Sequence, residues 1–246
     1  MEQFIGVIDS GVGGLTILNR LRRQYPYNFR YLADHAFCPY GTKSNREVFS
    51  RVDTLTSHLV SMGAQAVVIA CNTASVHAAN LSAKYPVPVC EVVTPTCNLI
   101  AKSRSINRVA LLATDSTIRN GMYSAILAKR GIEVCNFPCS SFVPFIERGE
   151  TETPACRKAV ETALQALTYA NVDAVILGCT HFPLLKRQIV PYCGGAQIIE
   201  CVCSLPTNVM SPQINPKAEY FTTGDVNLAN AAAAPFNNIR FKHISL

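Results

Sequence analysis

The chain has no C-x-x-C pair among its 11 cysteines and few charges, with Asp, Glu, Lys and Arg together at 15%. It also lacks any apolar run near the roughly 18 to 20 residues that a bilayer-spanning helix needs. Each shortage removes a class of protein. Without C-x-x-C, a thioredoxin-like redox site and the common zinc frameworks lose their ligand spacing. The closer spacings, Cys201-Val202-Cys203 and Cys179-Thr180-His181, have no second half, so no metal is expected. An odd cysteine count in 246 residues argues against a disulfide scaffold, and the opening MEQFIGVIDS has neither a basic leader nor a signal-peptide core. A reducing cytosol is the expected compartment, and no membrane role is expected. The formal charge of +6 is spread thinly. Its densest cluster, Arg20, Arg22 and Arg23, reads as a solvated helix face, so no nucleic-acid partner is expected and small anions are the better fit.

What is present is a globular composition, 49% hydrophobic, in a chain long enough for one large domain or two small ones. Four β-branched runs stand out at Phe4 to Ile8, Ala66 to Ala70, Val109 to Ala113 and Ala174 to Leu177. Runs that are apolar on both faces fit parallel strands covered by helices. Helical length and spacing follow at Gly14 to Gln24, Arg46 to Met62, Arg119 to Lys129 and Ala155 to Tyr169, with Gly131 as a C-cap for the third.

The order of these pieces repeats. IGVID at Ile5 to Asp9 is matched by VALLAT at Val109 to Thr114, and AVVIACNT, from Ala66, by AVILGCTH, from Ala174. Cysteine to cysteine the offset is 179 − 71 = 108 residues, and Asp9 to Thr114 is 114 − 9 = 105. Nearly equal offsets predict an α/β protein of two pseudosymmetric halves with mostly parallel central sheets flanked by helices, and an active site in the cleft between them. Pro86, Pro88 and Pro95 mark the crossing between halves, and YFTTGD at Tyr220 to Asp225 is read as a return to the first. The expected domains are residues 1–95 plus 206–246 and residues 96–205.

Ligands of open parallel sheets bind beyond the carboxyl ends of the strands. Those ends here carry Asp9 and Ser10, Cys71, Asn72 and Thr73, and Cys179, Thr180 and His181. Free cysteine is ordinarily a small buried hydrophobe, and most of the other cysteines are read that way. Cys71 and Cys179 differ in having polar neighbours and matched places in both halves, a geometry suited to chemistry on two faces of one carbon. The loop DSGVGGL, Asp9 to Leu15, follows a strand and opens a helix, but its spacing fits neither a dinucleotide fingerprint nor a phosphate loop. Close backbone approach to a small ligand, or a tight turn, explains its glycines better.

IGVIDSGVGGLTIL at Ile5 to Leu18, PYGTKS at Pro39 to Ser44, ACNTAS at Ala70 to Ser75, VPFIERGE at Val143 to Glu150, LGCTHFPLL at Leu177 to Leu185 and FTTGD at Phe221 to Asp225 together resemble glutamate racemase. The likeness runs in order over nearly the whole chain, and DSGVGGL separates it from the related aspartate racemases. The resemblance implies a cofactor-independent isomerase that interconverts L- and D-glutamate and supplies D-glutamate for the bacterial cell wall. It implies Cys71 and Cys179 as the acid and base, with Asp9 assisting on the Cys71 side, His181 on the Cys179 side, and Glu147 orienting His181. Ser10, Tyr40, Gly41, Asn72, Thr73, Thr114, Thr117 and Thr180 match substrate-contact positions. The implied partner is the small molecule glutamate, with a homodimer as the assembly the resemblance allows, and neither metal nor pyridoxal phosphate.

Two rival readings stay open at this point: a racemase for aspartate or another small acid, and a glutamate-binding regulator without turnover. The sequence also departs from its relatives. ADHAFCPYG keeps Asp34 but has His35 and Phe37 where many relatives have threonine and arginine, and IIECVCSLP replaces the commoner ending of the second half.

Overall fold

The computed structural model describes residues 2–246. Among them, ten strands form two wholly parallel sheets: β1 (Phe4–Asp9), β2 (Phe29–Ala33), β3 (Ala64–Ile69), β4 (Val89–Glu91), β5 (Arg108–Ala113), β6 (Glu133–Pro138), β7 (Ala174–Gly178), β8 (Gln197–Glu200), β9 (Ala218–Thr222) and β10 (Phe241–His243). The first sheet runs β10-β9-β2-β1-β3-β4 and the second β6-β5-β7-β8. Every pairing is parallel, with Val7 opposite Tyr31 on one side and Val68 on the other, and Leu112 opposite Phe137 and Leu177. The repeat read in the sequence is therefore a repeat of topology. The order β2-β1-β3-β4 recurs as β6-β5-β7-β8, and β9 and β10 extend the first sheet beyond β2. The α/β class expected from the strand-helix alternation is the fold observed.

Covered on both faces by helices, β1, β5 and β7 are buried nearly end to end. Burying a Val, Leu or Ile side chain contributes about 1.5–3 kcal/mol, so these apolar runs supply much of the drive to fold. Helix Asn45–Ser61 starts where Ser44 and Glu47 cap each other: the Glu47 N–H donates to Ser44 Oγ at 3.2 Å and the Ser44 N–H donates to Glu47 Oε2 at 2.9 Å. Pro95 lies in the first turn of helix Val93–Ile100 rather than in a linker, a place where the missing N–H breaks no hydrogen bond.

The third expected helix needs correction. It begins at Asp115, not Arg119, because Thr114 caps it with a hydrogen bond from the Thr117 N–H at 3.2 Å. Gly121, at φ +70°, splits it into Asp115–Asn120 and Met122–Ala128. Gly131 does end the second piece at φ +72°, with the Ile132 N–H donating back to the Leu127 carbonyl at 3.1 Å.

Strand order fixes where the chemistry falls. In each sheet the chain leaves a central strand toward one neighbour and returns on the other side, a switch that opens a crevice above the strand ends. The switch lies between β1 and β3 in the first sheet and between β5 and β7 in the second. Asp9 and Ser10 thus stand beside Cys71, and Thr114 beside Cys179. Among the described residues no helix is long and apolar enough to cross a membrane.

Candidate active site

The two crevices meet. One narrow cleft is lined from the first sheet by Ser10, Tyr40, Gly41, Cys71, Asn72 and Thr73, together with Pro39. The second sheet supplies Thr114, Cys179, Thr180 and His181, together with Val143. Both thiols are free and each is 6% exposed, so two nearly dry sulfurs share one small chamber. Three residues singled out in the sequence do not line it. Thr117 sits behind the wall, its hydroxyl 3.1 Å from that of Thr73 and 2.9 Å from that of Thr114. Asp9 and Glu147 act from beneath, through Thr180 and His181.

The glycine-rich loop makes this approach possible. A side chain at Gly11 would collide with the Glu147 carboxylate, and a Cβ at Gly13 would lie 2.5 Å from His181 Nδ1. The backbone of one half thus rests directly on polar side chains of the other. The Val12 N–H donates to Glu147 Oε1 at 2.9 Å, and Thr16 Oγ1 donates to the Thr180 carbonyl at 3.2 Å. Tyr31, which the sequence gave no reason to notice, donates to the Gly11 carbonyl at 2.6 Å and pins the loop from below.

Each thiol has its own electrostatic partner. His181 Nδ1 lies 3.5 Å from Cys179 Sγ, and its Nε2 lies 2.5 Å from Glu147 Oε1. Burial works against a charged imidazole, yet the partners Cys179 and Glu147 outweigh it and hold His181 well above its usual 6.5. Burial would likewise raise Glu147, but hydrogen bonds and charge from His181 and His35 hold it far below its usual 4.5. On the other side burial pushes the Cys71 thiol up, and the Asp9 carboxylate pushes it further. Asp9 is itself raised by burial, against the pull of His181 and the Gly11 N–H. Thr180 Oγ1 donates to Asp9 Oδ2 at 3.1 Å, so Asp9 touches the Cys179 loop as well as facing Cys71.

The wall opposite carries spare donors. Asn72 Oδ1 accepts from Tyr123 Oη at 2.7 Å and from Cys201 Sγ at 3.3 Å, which leaves its buried Nδ2 without a protein partner. A buried amide N–H left unpaired costs free energy unless a ligand satisfies it. Tyr123 had no signal in the sequence, and Cys201, which directly follows β8, was noted there only for its spacing to Cys203. Among the described residues no three His, Cys, Asp or Glu side chains gather as a metal ion would require.

The Glu147–His181 pair sets a pH window for stability. A carboxylate depressed below 4.5 contributes fully above that value and loses its contribution as pH falls through the depressed one. An imidazole raised above 6.5 contributes fully below that value and loses its contribution as pH rises through the raised one. The difference in melting temperature between the wild type and Glu147→Gln is therefore expected to be largest from pH 4.5 to 6.5 and to shrink on the alkaline side. Thermal melts across pH check this, and a difference that grows with rising pH would contradict it.

Comparison with known proteins agrees with this geometry. A family model described as Asp/Glu/Hydantoin racemase matches residues 5–205. The glutamate racemase of Oceanobacillus iheyensis is 34% identical over 244 residues, covering 93% of this chain and 89% of its own. Among solved structures, a glutamate racemase isoform from Bacillus anthracis has a TM-score of 0.89 at 30% identity, covering 99% of this chain and 97% of its own. The glutamate racemase of Francisella tularensis, solved in complex with D-glutamate, has a TM-score of 0.85 at 28% identity, covering 100% of this chain and 97% of its own. A match that runs from the first strand to Leu205 and a curated relative aligned over most of both lengths leave one conclusion: the chain belongs to the Asp/Glu/Hydantoin racemase family.

Proposed function

We propose that this protein interconverts L- and D-glutamate by proton transfer between two thiols, without a cofactor, and supplies D-glutamate for peptidoglycan in the cytoplasm. The observation that carries the reading is the shared chamber. Cys71 and Cys179 arrive from equivalent strand ends of two matched sheets and line one cavity with Asn72, whose Nδ2 has no protein partner. A racemase needs that arrangement, because one group must remove the α-hydrogen from one face while another returns a proton to the opposite face.

The surroundings divide the work. The imidazole of His181, raised by its partners Cys179 and Glu147, faces the Cys179 sulfur at 3.5 Å. Cys71, buried beside the Asp9 carboxylate, keeps its proton. Cys71 and Cys179 then work as the acid and base pair, one on each face of the α-carbon. The charge that develops on the substrate carboxylate as the α-carbon loses its proton is met by preorganised donors, with Asn72 Nδ2 and the hydroxyls of Thr73 and Thr114 at hand and Thr117 bonded to both hydroxyls from behind. Ser10, Tyr40, Gly41 and Thr180 complete the substrate contacts. Once the proton has crossed, the two sulfurs have exchanged roles, and the site is ready for the other enantiomer.

Purified protein incubated with D-glutamate and nothing else is expected to lose the circular dichroism of the substrate until the mixture is racemic. In heavy water the α-position gains deuterium. An unchanged dichroism signal with full α-exchange would mean one working thiol instead of two. No exchange at all would leave a binding protein, and faster turnover of D-aspartate would move the specificity to the shorter acid.

A further inference from the structure

His35 closes a line of side chains that ends on Cys179. Its Nδ1 lies 2.7 Å from Thr222 Oγ1, and its Nε2 lies 3.3 Å from Glu147 Oε2, in contact though off the axis of a good hydrogen bond. The other oxygen of that carboxylate holds His181 Nε2 at 2.5 Å, and His181 Nδ1 faces the Cys179 sulfur at 3.5 Å. Glu147 therefore bridges two imidazoles, one on the catalytic loop of the second sheet and one on the segment that leaves β2.

The hydrogen order along this line follows from its partners. The Gly224 N–H donates to Thr222 Oγ1 at 3.1 Å, which frees the Thr222 hydroxyl hydrogen to point at His35 Nδ1. With Nδ1 accepting, the ring proton of His35 sits on Nε2 and faces Glu147. The ring has little freedom to leave. It packs edge-on to Phe241 with centroids 5.7 Å apart, and a Cβ at Gly224 would lie 2.7 Å from His35 Cβ.

We propose that His35, oriented by Thr222, is a positioning residue for the reaction: it holds the outer oxygen of Glu147 so that the inner oxygen stays on His181 and keeps that imidazole against Cys179. This assignment rests on the two-thiol reading of the site. It also gives β9, which enters the first sheet from the far end of the chain, a part in the chemistry of the second.

Three variants separate a positioning role from a merely structural one. In His35→Asn the amide reaches the Nδ1 position but not Glu147, whereas in His35→Gln it extends toward the Nε2 position. His35→Asn is expected to lower kcat/KM about tenfold, and His35→Gln to restore most of it. In a Glu147→Gln background the His35→Asn change should cost little more, because the carboxylate it acts through is gone. Nitrogen-15 NMR of the histidine rings supplies a readout that needs no turnover: the His181 resonances should move in His35→Asn and stay near the wild type in His35→Gln. Equal loss in the Asn and Gln variants, a full further loss in the Glu147→Gln background, or His181 resonances indifferent to His35 would overturn the proposal. Absence of racemisation in the wild type would instead count against the two-thiol reading, while the NMR comparison would still decide whether His35 governs His181.

Discussion

Serine in place of either Cys71 or Cys179 is expected to lower kcat/KM for glutamate racemisation by about 1,000- to 10,000-fold, the usual scale of a lost general acid or base. An alcohol is a far weaker acid than a thiol. Serine at Cys179 would give no appreciable alkoxide beside His181 at neutral pH, and serine at Cys71 would be a poor proton donor to a carbanion. Because the two enantiomers have equal free energy in water, the ratio of kcat/KM values in the two directions must stay at unity. Each single substitution must therefore slow both directions by one factor, although it removes only one of the two groups. The exchange replaces sulfur by a smaller oxygen at a site that is 6% exposed in either case, so the fold should persist. Dichroism assays run from each enantiomer, with thermal melts as the control for folding, make the measurement. Either variant within tenfold of the wild type would remove that thiol from the mechanism.

Much of this site could be read in the sequence because its chemistry sits at the ends of strands that announce themselves. AVVIACNT and AVILGCTH are apolar on both faces, so they read as buried parallel strands, and their polar ends must face the crevice. The repeat added the pairing of halves. Edge strands were harder to see. In β6, Glu133–Pro138, no residue is fully buried, and β4 is three half-buried residues long, so neither leaves a strong apolar signature. The split at Gly121 was missed because apolar spacing continues on both sides of it, while the turn depends on a single residue with positive φ.

Polar partners distant in the chain were the least legible, and the Glu147–His181 pair came only through the family resemblance. Asn72 is held by Tyr123 and Cys201, which lie 51 and 129 residues away. Glu147 is held by His35 and His181, on elements that belong to different sheets. Nothing local in a sequence distinguishes Tyr123 or His35 as a partner in these contacts, since the pairing exists only once both sheets have formed and docked. His35 illustrates the limit: noticed only as a departure from a family pattern, it sits against the carboxylate that also holds His181.

Asp34→Ala is expected to destabilise the protein by about 3–5 kcal/mol, the cost of stranding the partner of a buried ion pair. The Asp34 carboxylate is fully buried and takes four donors: Arg51 Nε at 3.0 Å and Arg51 Nη2 at 2.7 Å, Tyr40 Oη at 2.6 Å and Thr223 Oγ1 at 2.8 Å. Alanine would leave a guanidinium that is only 16% exposed, stacked on the Phe37 ring at 4.0 Å, with no counter-charge, and two hydroxyls with no acceptor. The damage would not stay local. Tyr40 lines the reaction cavity, Arg51 belongs to the helix after Ser44, and Thr223 follows β9, so one carboxylate ties the cavity wall to the return segment. Urea unfolding should show the midpoint falling, and any folded fraction should show a raised KM as the Tyr40 ring loses its anchor. Adding Arg51→Ala should recover part of the stability, because the uncompensated charge leaves with it. A single Asp34→Ala variant within about 1 kcal/mol of the wild type would mean that water replaces the carboxylate at Arg51, a result at odds with a site this dry.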